Sequence, residues 1–182
     1  MSPLANSIVE IFSTLTLFGQ GVAVFLLAIL ITKKFFPKEK NCQKIAKFIS
    51  ENYTTGIFFI SAVATAGSLS FSEVANFTPC KLCWFQRIAM YPIGLISFVS
   101  MIKSDDGVKK YALPLSLIGL VIAGYHILVQ TFPKALECSD EVAKCSAKEF
   151  AQYGYITIPV MAFTAFLLIA LLAFFAPKTS KK

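Results

Sequence analysis

Five long runs without a charged residue constrain this chain more than any other feature. They occupy residues 11–32, 52–72, 88–102, 111–133 and 150–177. The hydrocarbon core of a bilayer is about 30 Å thick, and about 20 helical residues cross it. The third run reaches that length when it is extended back to Trp84, because residues 84–102 would rise about 28 Å. The pattern therefore predicts an all-α membrane protein with five spanning helices.

Composition and charge placement support this interpretation. Hydrophobic residues make up 56% of the 182 residues, which is too many for a soluble domain of this size. Basic residues cluster after the first run, between the third and fourth runs and after the fifth. Because Lys and Arg mark the cytoplasmic side, we expect the N-terminus outside and the C-terminus inside. This topology explains the net charge of +7, and nothing in the sequence supports nucleic-acid binding.

The first run is predicted to be a retained helix rather than a cleaved signal peptide. A signal peptide carries basic residues before its apolar core, whereas residues 1–10 contain no Lys or Arg. Residues 33–52 form a basic inner segment, and apolar side chains within 42–50 predict a short amphipathic helix along the inner surface. Cys42, in this segment, is interpreted as a free, non-catalytic thiol.

Two cysteines, Cys80 and Cys83, begin the third helix on its outer side. Residues three apart share one helix face, so this pair can close a disulfide or open to two thiols with little chain movement. The unpaired N–H groups of the first helical turn stabilise a thiolate at Cys83. Arg87 lies one turn further on the same face. Phe77, Phe85 and Trp84 are available to line an apolar groove beside this pair, although the position of Trp84 is more typical of the aromatic belt at a membrane surface.

A second pair, Cys138 and Cys145, follows in a charged outer loop. In a straight helix the two residues would lie about 10.5 Å apart along the axis, whereas a disulfide requires Cα atoms within about 7 Å. If they bond, the loop must turn back on itself and project into solvent, where another protein can reach it. Two dithiols with different accessibility indicate relay chemistry.

These residues carry a resemblance to a known family. The segment Pro79-Cys80-Lys81-Leu82-Cys83-Trp84-Phe85-Gln86-Arg87 at a helix mouth, the later outer cysteine pair and Gly124-Tyr125-His126 between them resemble the DsbB/BdbC family of bacterial membrane disulfide oxidoreductases. The resemblance covers residues 53–176. It implies a four-helix bundle in the bacterial inner membrane, with both cysteine pairs outside the cytoplasm.

The resemblance also implies an activity and a role for each residue. The family oxidises a soluble DsbA/BdbD-like thioredoxin-fold partner and passes two electrons to a membrane quinone, either ubiquinone or menaquinone. By motif position, the partner would attack Cys138, and Cys145 would exchange with Cys80. Cys83 would face the quinone, and Arg87 would hydrogen-bond a quinone oxygen. His126 aligns loosely with a quinone-side histidine.

The chain departs from that pattern in two ways. The extra first helix makes five spans, so we divide the chain into residues 1–52 (extra helix and basic segment), 53–177 (DsbB-like bundle) and 178–182 (basic tail). The spacing of Cys138 and Cys145 is also shorter than in the proteobacterial type and closer to the BdbC type.

Three alternatives remain open from sequence. The four outer cysteines could bind zinc, or they could form two inert disulfides in a structural protein. The thiolate position at Cys83 and the nearby Arg87 argue against both, because neither role requires them. A vitamin K epoxide reductase-like enzyme would place its loop pair before the CxxC, which is the opposite order to this chain.

Overall fold

The computed structural model describes residues 2–35, 40–103, 107–132 and 145–176, and these form a helical protein. The α-helices are α1 (Pro3–Phe35), α2 (Lys40–Leu69), α3 (Lys81–Lys103), α4 (Val108–Thr131) and α5 (Ile158–Phe175). A π-helix, Ser70–Val74, extends α2. Within the described residues, five helices are long and apolar enough to cross a membrane. The prediction of an all-α, multi-pass membrane fold is confirmed.

The core of the protein lies between α2, α3, α4 and α5. Ile57, Ile93, Phe166 and Ile169 are almost completely buried there. Small residues allow the helices to approach closely, as expected for association within a membrane. A side chain at Gly119 of α4 would collide with the ring of Phe166 on α5. These helices therefore form the bundle that was predicted.

Helix α1 packs along α5 and the membrane-embedded part of α2. Ala23, Leu26 and Ile29 are buried in a cluster that includes Leu168 and Leu171 of α5. Nearer the N-terminus, the ring of Phe12 lies on Gly67 of α2, where an added Cβ would lie 2.8 Å from the ring. The extra helix is thus an integral part of the packed structure.

Helix α2 differs from the prediction for residues 42–50. These residues form no separate surface helix; they are the first turns of α2, which continues unbroken through residue 52. Cys42 and Ala46 are buried, and the same stripe continues to Tyr53 and Ile57. The spacings of four, seven and four residues keep the stripe on one helix face. That face packs against α1 and the bundle, so the segment extends α2.

The described cysteines of both outer segments lie at one end of the bundle. Cys80 directly precedes α3, and Cys145 lies in the segment before α5. The opposite end carries Lys103 of α3 and Lys109 of α4, and the Lys109 Nζ donates to the carbonyl of Ala176 at 3.2 Å. The alternation of helix directions therefore separates the thiols from the lysine-rich segments. Residues 133–144, which include Cys138, and the tail from residue 177 lie outside the described residues.

Candidate thiol site at the outer helix ends

The first turn of α3 brings Cys80 and Cys83 together. Cys80 lies directly before the helix, and its carbonyl accepts the backbone N–H of Trp84 at 3.1 Å. Cys83 is in the first turn, near the unpaired N–H groups that favour negative charge. The two Sγ atoms are 3.4 Å apart, with the thiol of Cys80 donating to Cys83. The structure therefore shows the dithiol form of the pair.

Of the two cysteines in this reduced pair, Cys80 retains its proton more strongly. Donation to the sulfur of Cys83, together with burial of the thiol, raises the pKa of Cys80 to about 12. A hydrogen bond from His126 acts in the opposite direction. Because Cys80 keeps its proton, Cys83 is the sulfur of the pair that is placed to carry negative charge.

His126 connects Cys80 to the loop that contains Cys145. The imidazole is buried, and its Nε2 lies 3.1 Å from the carbonyl oxygen of Cys145 and 3.7 Å from the Sγ of Cys80. Its Nδ1 lies 3.1 Å from the side-chain Nε2 of Gln86. A carbonyl only accepts, and an amide nitrogen only donates. With the Gln86 side-chain nitrogen facing Nδ1 and the Cys145 carbonyl facing Nε2, Nδ1 accepts from Gln86 and Nε2 donates to the carbonyl.

Cys145 is held against the same site. Its side chain is 1% exposed and packs in a cluster with Cys80, Leu82 and Val129. One turn beyond His126, the amide of Gln130 donates to the carbonyl of Ala147 at 2.9 Å. The expectation that the loop pair projects into solvent is therefore wrong for Cys145, because two side chains of α4 hold its segment against the bundle. Cys138 cannot be compared, since it lies outside the described residues.

Arg87 is fixed by the end of α2. Its Nε donates to the Oγ of Ser68, and its Nη2 donates to the Ser68 carbonyl, both at 2.9 Å. The guanidinium also lies 5.2 Å from the centre of the Trp84 ring. A cationic residue near a helix end commonly extends to the membrane surface, but Arg87 instead bridges α3 and α2. Arg87 also lines a cavity.

The cavity begins at these polar groups and continues between α1, α2 and α5. Its volume is about 730 Å³. Cys80, Cys83, Gln86, Arg87 and His126 line one end together with further polar residues that include Gln130 and Glu149, and most of the remaining lining is apolar. An aromatic cluster that also belongs to the lining covers the outer side, with ring centres 5.6 to 6.1 Å apart; it consists of Phe12, Phe71, Phe77 and Phe150.

The predicted lining of this groove was only partly correct. Phe77 lines it, but Trp84 and Phe85 do not, and they are 53% and 45% exposed on the outside of the bundle. The reason is helical geometry: Cys83, Gln86 and Arg87 are three or four residues apart and face inward. Residues 84 and 85 consequently point away from the cavity.

Sequence reasoning missed three polar residues that organise the site. Gln86 orients His126, Ser68 binds Arg87, and Gln130 holds the Cys145 segment. The available signal was a polar side chain within an apolar run, at a helical spacing from a residue already of interest. Gln86 is three residues after Cys83, and Gln130 is four after His126.

The zinc alternative can be tested against the donor atoms. The ligand atoms of Cys80, Cys83 and His126 lie within 4.8 Å of one another. However, the nitrogen of His126 that faces Cys80 carries the proton donated to the Cys145 carbonyl. A metal ligand needs an unprotonated nitrogen, and a structural zinc site has four ligands. The described geometry therefore favours a dithiol site over a metal site.

Comparisons with known proteins agree with this geometry. The family model described as disulfide bond formation protein DsbB matches residues 50–176. The chain is 40% identical over 121 residues to a probable disulfide formation protein C of Halalkalibacterium halodurans, covering 65% of this chain and 88% of the relative. It is 42% identical over 112 residues to the disulfide bond formation protein C of Bacillus subtilis, covering 60% and 81%.

A third relative extends the match slightly. It is a probable disulfide formation protein of Oceanobacillus iheyensis, 43% identical over 127 residues, which covers 68% of this chain and 87% of the relative. No solved structure matches the chain significantly. The family model covers well over half of the sequence and includes every described thiol of the site. This chain belongs to the DsbB family of disulfide bond formation proteins.

Proposed function

We propose that this protein is a membrane thiol:disulfide oxidoreductase that reoxidises an extracytoplasmic thioredoxin-fold partner and passes the electrons to a membrane quinone. Family membership supports the coarser role in disulfide formation. One observation carries the finer proposal: Cys83 and Arg87 lie together at the polar end of a largely apolar cavity between membrane-spanning helices. A redox-active thiol and a fixed cation thus meet a space suited to an amphiphile.

The residues at this end fit a quinone. Arg87 offers N–H donors of fixed direction, because two of its hydrogen bonds to Ser68 hold the guanidinium in place. Such a preorganised cation stabilises negative charge that develops on an oxygen. A bound quinone supplies an acceptor for two electrons and two protons. Arg87 would hold its ring oxygen, and Cys83 would face the ring.

The chain's own sulfurs would carry the preceding exchange. Once the partner has reduced the Cys138–Cys145 disulfide, the thiolate of Cys145 attacks Cys80 of the Cys80–Cys83 disulfide. A Cys80–Cys145 bond forms, and Cys83 leaves as a thiolate at the helix N-terminus. Cys138 then attacks Cys145, re-forming their disulfide, and Cys80 leaves and takes up a proton. Each attack is the in-line displacement of ordinary thiol–disulfide exchange.

His126 supports this exchange as a positioning residue and a donor. Its Nε2–H binds the carbonyl of Cys145 while lying 3.7 Å from the Sγ of Cys80. It therefore keeps the two exchanging residues together. When Cys80 leaves with its electron pair, the same N–H stabilises the new negative charge.

The orientation follows from charge. The end opposite the thiols carries Lys33, Lys34, Lys103, Lys109 and Lys110, and positive charge favours the cytoplasmic side. We therefore place the protein in the bacterial inner membrane, with both cysteine pairs and the N-terminus outside the cytoplasm and the C-terminus inside. This arrangement puts the thiols in a compartment where disulfides persist.

The test is turnover by the purified protein. A reduced thioredoxin-fold partner is mixed with the protein and quinone, and quinone absorbance is followed together with free thiols. We expect one quinone reduced for each partner disulfide formed, and Cys83→Ser should abolish it. Undiminished turnover in Cys83→Ser would refute the proposal. About one equivalent of bound zinc with no quinone dependence would support the metal alternative.

The direction of electron flow between the partner and this protein requires a separate measurement. The same dithiols could reduce a partner, and reduction potentials decide between the two directions, since about 30 mV corresponds to about 1.4 kcal/mol for a two-electron couple. We expect the Cys138–Cys145 couple to lie above that of the partner. A value well below it would reverse the scheme.

A further inference from the structure

Helix α1 lies outside the segment that matches the DsbB family, yet it contributes to the cavity that begins at the thiol site. The family match starts at residue 50, whereas α1 ends at Phe35. Seven α1 residues line the cavity; they are Phe12, Leu15, Thr16, Phe18, Gly19, Val22 and Leu26. Their spacing of three or four residues defines a single stripe along the helix.

The cavity extends along the helices for the length of this stripe. From Phe12 to Leu26 the axis of α1 rises about 21 Å at about 1.5 Å per residue. On α5 the lining runs from Ile158 to Leu172, an equal distance. The cavity is therefore elongated along the helices, and it is not confined to the level of Arg87.

The chemistry of the lining changes along this length. Arg87 contacts Ser68, and Phe12 contacts the adjacent Gly67, so Phe12 marks the polar end. Towards the other end the lining is apolar and includes Val22, Leu26 and Leu172. A site with a small polar end and a long apolar remainder matches a molecule with a polar ring and a hydrocarbon tail.

We propose that α1 forms one wall of a channel for the tail of the electron acceptor, so that this extra helix is part of the acceptor site. The inference rests on the proposed quinone reduction and assigns the α1 stripe to the tail rather than to the ring. The channel continues directly from the end that holds the thiols and the guanidinium. An acceptor whose ring binds at that end would therefore extend its tail into the channel.

Contacts at the outer end hold α1 in this position. Phe12 packs edge-on against Phe71 of the π-helix. The hydroxyl of Tyr155 donates to the Oε1 of Gln20 at 2.6 Å, and the hydroxyls of Tyr153 and Thr14 are 3.2 Å apart. Tyr153 and Tyr155 belong to the short turn between Cys145 and α5. This docking fixes the α1 wall relative to the site.

A matched pair of substitutions on α1 tests the proposal. Val22→Phe places a larger side chain in the channel, whereas Val24→Phe makes the same change on a side chain that is 68% exposed and outside the lining. Binding of each quinone to the purified protein is measured by isothermal titration calorimetry, because Trp84, the only tryptophan, points away from the cavity. The probes are decylubiquinone and the same quinone ring without a tail.

We expect Val22→Phe to weaken binding of decylubiquinone about tenfold, because the larger side chain would occupy space that the tail needs. The tailless quinone should bind within about twofold of its wild-type affinity, and Val24→Phe should affect neither probe. Thermal unfolding of both variants checks that folding is preserved. If Val22→Phe unfolds earlier than Val24→Phe, Val22→Leu is measured in its place.

Failures of the two proposals are distinguishable. If neither probe binds the wild-type protein, the proposed quinone site is wrong. If both probes bind but Val22→Phe behaves as Val24→Phe, or weakens both probes equally, the α1 inference alone is wrong. Equal wild-type affinities for the tailed and tailless quinones would also overturn it, because the channel would then hold no acceptor tail.

Discussion

Cys42 and Cys80 are buried to the same extent but lie in different chemical surroundings at opposite ends of the protein. Cys42 is 8% exposed and Cys80 is 7% exposed. The thiol of Cys42 meets the carbonyl of Ile29 at 3.7 Å within an apolar cluster. Cys80 instead has the sulfur of Cys83 at 3.4 Å and the imidazole of His126 at 3.7 Å. The comparison teaches that equal burial leaves the two thiols with different neighbours, and that of the two only Cys80 has a second thiol and an imidazole within reach among the described residues.

The largest expected effect is the loss of turnover on removal of the site sulfur. Cys80→Ala should lower quinone-coupled oxidation of the partner by more than about 10³-fold, because no other atom can take its place in the covalent relay. Cys42→Ala is the matched control and should leave turnover within about twofold. The measurement is steady-state turnover of both variants. Comparable losses in the two would show that the surroundings of Cys42 and Cys80 are functionally equivalent.

The next effect concerns the proton of Cys80. The folded protein raises the pKa of Cys80 from its ordinary value of 9.0 to about 12. The protonated thiol therefore favours the folded state below pH 9.0, and this contribution to stability is lost as pH rises through about 12. Cys83→Ala removes the largest cause, so the pKa of Cys80 should fall but stay above 9.0, since burial remains. Alkylation of Cys80 at increasing pH, read by peptide mass spectrometry, measures it. An unchanged profile would assign the shift to burial and break the comparison with Cys42.

Substitution of Arg87 should have an intermediate effect. Arg87→Leu removes a preorganised cation from the polar end of the cavity and should slow quinone reduction about 100-fold. Arg87→Lys keeps the charge but cannot reproduce both hydrogen bonds to Ser68, so it should recover only part of the rate. Exchange between Cys80 and Cys145, followed by single-turnover thiol trapping, should change little. If exchange between Cys80 and Cys145 slowed as much as quinone reduction, Arg87 would act in the exchange step, and the prediction would be wrong.

The smallest expected effect comes from Gln86. Gln86→Leu removes the donor to Nδ1 of His126, and the net value of such a hydrogen bond is about 1 kcal/mol or slightly more, which corresponds to about tenfold. Exchange between Cys80 and Cys145 should slow by that factor. In Gln86→Leu, nitrogen NMR of the imidazole should show a loss of the Nε2–H tautomer. Gln86→Asn keeps the amide on a shorter side chain and tests whether the reach of Gln86 matters. A slower exchange with an unchanged tautomer would show that Gln86 acts through packing alone.

Several features of the site were predictable from local sequence. The three-residue spacing of Cys80 and Cys83 and the four-residue spacing to Arg87 place them on one helix face whatever the rest of the fold does. The structure brings these residues together with His126 and Cys145 at one cavity. Their roles in electron transfer stay predictions.

Other features escaped because they depend on which helix faces meet. The apolar residues within 42–50 favour a surface helix, but these residues belong to α2, and their apolar stripe packs against α1. Phe85 is near enough in sequence to be available for the groove, but the helical turn directs it outward, and Trp84 also faces outward, as expected for an interfacial belt residue. The importance of Gln86 depends on His126, which is 40 positions away in the chain.

The sequence by itself determined the number and order of the spans and the separation of Cys80, Cys83 and Cys145 from the lysine-rich end. The reason is that transfer of a run into the bilayer, and the spacing within one helix, depend on that run alone. Only the tertiary structure decided that Ser68 fixes Arg87, that His126 holds the Cys145 segment and that α1 lines the cavity. Helices as apolar on all sides as α5 carry no pattern that says which face meets which neighbour, so packing makes that choice.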